Sequence, residues 1–74
     1  MSQVASWEAY LAGLCVDAWS LDPASTIQIV KNIEALVAPG AANASTVATV
    51  LQRAGVAEVE AGSFAPGICA AIAA

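Results

Sequence analysis

Pro23 and Pro39 stand on either side of a segment with helical periodicity, and that bracket constrains the chain more than any other feature. Leu21-Asp22-Pro23-Ala24 is a helix start. Asp22 can accept hydrogen bonds from the free amides of a first turn, and Pro23 suits the first helical position, where its missing N–H costs nothing. Ala38-Pro39-Gly40 is a stop, because proline disfavours helical geometry in the residue before it. Between them Ile29, Val30, Ile33, Leu36 and Val37 recur at helical spacing, which predicts a helix from Pro23 to about Val37.

Two more helices follow from the same reasoning. Val4, Trp7, Leu11, Leu14 and Ala18 fall on one stripe of a helix over 2–21, with Trp7 expected in the core. Tyr10, Val16 and Trp19 lie off that stripe, so this helix is apolar nearly all round, as in helices that sit between partners. Gly13 is expected to mark a close helix crossing. After a linker over 41–44, Asn43 or Ser45 can cap a helix whose Val47, Val50, Leu51 and Ala54 face inward. Gly55 is placed to end it in a left-handed conformation, with Val56 packing back on the last turn. The segment 56–62 reads as one helical turn or a short strand. Gly62-Ser63 reads as a break, Phe64-Ala65-Pro66-Gly67 as a turn, and a short last helix begins near Ile68. The expected fold is therefore all-α: one domain over 1–74, a small compact bundle of three main helices plus a short C-terminal helix. A competing mixed reading makes 27–37 and 56–60 strands of a βαβα piece of a barrel, but 74 residues cannot close one.

A chain this short buries only about 60% of the surface that its unfolded form exposes, so its surface composition matters. It has two basic and six acidic residues, 11% charged in all, against 59% hydrophobic. A typical soluble domain is about a quarter charged. So few charges leave apolar groups on the outside, which points to association with a protein partner, a second copy or another chain. Tyr10, Trp19 and Val16 are the candidate partner surface. Much of the apolar count is alanine, which makes that surface less adhesive than leucine would.

The same composition sets what is not expected. A net charge of −4, with only Lys31 and Arg53 basic, gives no cluster for phosphate contacts, so neither nucleic acid nor an anionic membrane surface is an expected partner. There is no histidine to act as base or metal ligand, and Ser or Cys nucleophiles would lack an adjacent base. No enzymatic activity, cofactor, metal or small-molecule substrate is expected. Met1-Ser2-Gln3-Val4 lacks the basic start of a secretory signal, and Glu8 interrupts the apolar stretch that follows. The expected compartment is intracellular (cytoplasmic) rather than secreted, with no spanning segment. Cys15 and Cys69 are expected as buried free thiols, or as a disulfide if the protein is secreted.

Thr46-Val47-Ala48, Ala54-Gly55-Val56 and Val59 resemble the helix-turn-helix of bacterial transcription regulators. That family reads bases from its second helix, whereas the corresponding positions here carry Glu58 and Glu60, which would repel phosphates. A second resemblance concerns the tail. A helical front, the small-residue break at Gly62-Ser63 and the uncharged segment 64–74 look like a precursor of a ribosomally made modified peptide. This implies a docking region followed by an apolar core, with Ser63 and Cys69 as modified residues. It is the alternative to the association module.

Overall fold

The computed structural model describes residues 6–74, and Val4 of the first predicted stripe lies outside them. The protein is all-α, with four α-helices among the described residues: α1 (Trp7–Gly13), α2 (Pro23–Val37), α3 (Ala44–Arg53) and α4 (Glu58–Ala73). A π-helical turn, Leu14–Ala18, continues α1. The strand readings of 27–37 and 56–60 are replaced by α2 and the start of α4.

The centre of the chain follows its local signals. Asp22 accepts a 2.8 Å hydrogen bond from the Ser25 amide, and Pro23 occupies the first turn of α2. Asn43, rather than Ser45, caps α3. Its carboxamide oxygen accepts from the Thr46 amide while the Thr46 hydroxyl accepts from the Asn43 amide, both at 2.9 Å, closing a reciprocal capping box. At the far end of α3, Gly55 is left-handed with φ 104°. Gly55 N–H donates to the Gln52 carbonyl and Val56 N–H to the Leu51 carbonyl, each at 3.0 Å. This double closure is a Schellman motif, and Val56 packs back into the core as anticipated.

The two ends of the chain depart from expectation. Among the described residues the first helix starts at Trp7, because Ser6 is extended and its hydroxyl accepts from the Ala9 amide; the predicted start at Ser2 lies outside them. It also loses its regular period at Leu14. Trp19 N–H donates to the Leu14 carbonyl five residues back, and Leu21 N–H reaches the Cys15 carbonyl. The extra residue in this turn rotates the inward face. Ala18, on the predicted stripe, is exposed, while off-stripe Cys15 is fully buried and Trp19 packs against the core. Trp7 and Leu14 are half-buried beside the core. A left-handed Ser20 (φ 51°) then turns the chain toward α2.

The short C-terminal helix and the breaks at Gly62-Ser63 and Phe64–Gly67 are replaced by one continuous helix of 16 residues, longer than α2. Ala61, Ala65 and Ile68 lie on one side of α4, each buried to 1% exposure or less. Gly62, Ser63, Pro66 and Gly67 fall on the exposed side. Pro66 offers no N–H to the Gly62 carbonyl, but that carbonyl belongs to an exposed residue, where water can satisfy it. The burial of one side of α4 outweighs the breakers on the other.

The core is formed by Leu11 and Cys15, Ile29 and Ile33, Val47 and Leu51, Val56, and Ala61, Ala65 and Ile68. Every element contributes, and α3 and α4 form the most extensive pairing. The radius of gyration is 11.4 Å, against about 11 Å for a folded domain of this length.

Candidate functional site

Two grooves flank α2. The first lies between α1 and α2, encloses about 430 Å³, and is lined by Ala9, Ala12, Thr26, Ile27 and Val30, with Glu8, Lys31 and Glu34 at its margin. Its apolar character follows from the two helices. The bundle needs Ile29 and Ile33 for the core, so Ile27, two positions before Ile29, is left outside and is 56% exposed. Opposite it, α1 offers the methyl groups of Ala9 and Ala12 beside Glu8. Thr26 is buried at the base, and its hydroxyl donates to the Asp22 carbonyl at 2.9 Å, so it adds no unmet polar group.

The second groove, between α2 and α3, encloses about 370 Å³. Ile29, Leu36, Val50 and Ala54 form its apolar part, while Gln28, Asn32 and Arg53 supply polar groups. Gln28 Nε2 donates to Asn32 Oδ1 at 3.0 Å, one helical turn away.

The three residues expected at a partner surface are treated differently by the fold. Tyr10 is 42% exposed and Val16 is 55% exposed. Trp19 is half-buried and engaged within the chain. Its ring meets Phe64 edge-on with centroids 5.5 Å apart, and its Nε1 donates to Glu60 Oε1 at 3.1 Å. Tyr10 also leans on α4: a Cβ at Gly67 would stand 3.2 Å from the Tyr10 hydroxyl oxygen. The close approach expected at Gly13 is therefore found at Gly67, since a Cβ at Gly13 would meet nothing within 4 Å. Ile27 was not singled out beforehand. The signal was present, in an isoleucine off the inward stripe of an otherwise cleanly amphipathic helix.

Cys15 and Cys69 are both free thiols; Cys15 is buried and Cys69 half-buried. Burial pushes the Cys15 thiol above its ordinary pKa, with a smaller opposing effect from the Thr26 hydroxyl. Among the described residues no group of three or more His, Cys, Asp or Glu side chains is placed to hold a metal ion. No described helix is long and apolar enough to cross a membrane. The α3–Gly55–α4 hairpin follows the order of a helix-turn-helix, and the first turn of α4 carries Glu58, Val59 and Glu60 on the surface.

Compared with known proteins, the chain matches no family model, no curated protein and no solved structure.

Proposed function

We propose that the protein is a non-enzymatic association module that buries the α1–α2 groove against a partner chain, in the first instance a second copy of itself. The observation that carries this reading is the exposure of Ile27 in a groove lined by Ala9, Ala12 and Val30. Burying such side chains stabilises a contact by about 25 cal/mol per Å² of apolar area. The charges favour a second copy. A twofold contact sets one patch against itself, and this lining carries both signs, Lys31 as well as Glu8 and Glu34. Tyr10, which leans on α4 at Gly67, and Val16, in the π turn, are exposed outside this groove, while Trp19 packs within the chain against Phe64 and Glu60 of α4.

The packing of the tail supports this reading over a modified-peptide precursor. Ala65 and Ile68 are core residues, so removing the tail would remove part of the core. Isotope-filtered NMR on a mixture of labelled and unlabelled protein tests the proposal. Intermolecular contacts from the Ile27 and Val30 methyls are expected. Contacts confined to other faces, or none at millimolar concentration, would refute it.

A further inference from the structure

The α2–α3 groove differs in chemistry from the proposed association surface. Its lining holds one cation, Arg53, and no carboxylate, in a chain whose net charge is −4. Arg53 sits in the last turn of α3. There the Leu51 and Gln52 carbonyls are occupied by the Val56 and Gly55 amides rather than left for its guanidinium. Across the groove, the Gln28–Asn32 hydrogen bond uses the Asn32 carbonyl oxygen as acceptor and leaves the Asn32 amide nitrogen able to donate elsewhere. Donors therefore stand on both helices, and Ile29, Leu36 and Val50 supply an apolar wall in the same lining. The volume of about 370 Å³ is of the size that small-molecule sites occupy.

From this juxtaposition we infer a binding site for a monocarboxylate with a medium-length alkyl tail. Arg53 and the Asn32 amide would receive the carboxylate, and the wall would receive the tail. Guanidinium and carboxylate form charge-assisted hydrogen bonds, stronger than neutral ones and matched in geometry. The inference is independent of the association proposal, since it uses the opposite side of α2.

The test is a titration of the full chain with octanoate, followed by backbone amide NMR shifts. Saturation at about 1 mM or below is expected, with shifts concentrated in 28–36 and 50–54. Arg53→Gln, at an exposed position, should leave the helical circular dichroism unchanged and weaken octanoate binding about 10-fold or more. Octanol, with a similar tail and no charge, should not saturate in the same range. Absence of saturation by octanoate, equal octanoate affinity in Arg53→Gln, or equal binding of octanol would each overturn the assignment.

Discussion

Helices α2 and α4 are nearly equal in length and each contains a proline, yet the two prolines do opposite things. Pro23 stands in the first turn of α2, where its fixed φ and missing N–H agree with the helix. Pro66 stands inside α4, where its missing N–H and the clash of its ring with the carbonyl one turn back oppose the helix. The first helix is specified by its own ends. The second is held by its neighbours, through a buried stripe running from Ala61 to Ile68. Local sequence and tertiary packing thus agree in α2 and conflict in α4, and the conflict is resolved by placing the breakers on the exposed side.

The strongest test of this contrast is to remove the tertiary hold on α4. Ile68→Ala should cost about 2–5 kcal/mol of unfolding free energy by denaturant titration, because a fully buried side chain leaves a cavity. Its loss of helical signal should also be concentrated in α4. Pro66→Ala should act in the other direction, raising stability by up to about 3 kcal/mol as a helix-interior proline is relieved. Pro23→Ala should change stability by less than about 1 kcal/mol. Equal responses at the two prolines would break the comparison.

A smaller effect concerns acid. Hydrogen bonding from the Ser25 side chain, and next from the Ser25 amide, holds the Asp22 carboxyl below its ordinary pKa. The folded state thus favours the charged form. The contribution is complete above the unfolded value of about 3.9 and is lost as pH falls through the lower folded value. Asp22→Asn keeps a capping oxygen without the titration. The stability difference between parent and variant should therefore be constant at neutral pH and shift toward the variant below about pH 4. A difference independent of pH would remove Asp22 from the account.

What could be read beforehand follows the same division. The caps at Asp22 and Asn43 and the Gly55 closure are interactions among residues a few positions apart, so the letters alone carry them. The all-α class rests on the same local signals. Two features were not legible, for different reasons. The π turn inserts one residue into the helical count, and no residue between Leu14 and Ala18 announces it; Cys15 and Trp19 consequently replaced Ala18 on the inward face. The continuity of α4 depends on packing against α1 and α3, which outweighs Gly62, Pro66 and Gly67 only once the bundle exists. The candidate site was partly legible. Scarcity of charge indicated an exposed apolar surface, but which residues form it depended on what the core used. The fold engaged Trp19 against Phe64 and left Ile27 outside.

The central claim is that the α1–α2 groove is covered by a second copy. Light scattering on a sizing column, over a range of protein concentrations and with reducing agent present, tests it most directly. The account predicts a mass that rises above the 7.4 kDa monomer with concentration, and that stays at the monomer value in Ile27→Lys at unchanged helical content. A parent protein that remains at the monomer mass up to millimolar concentration would contradict the claim, as would an Ile27→Lys variant that associates as the parent does.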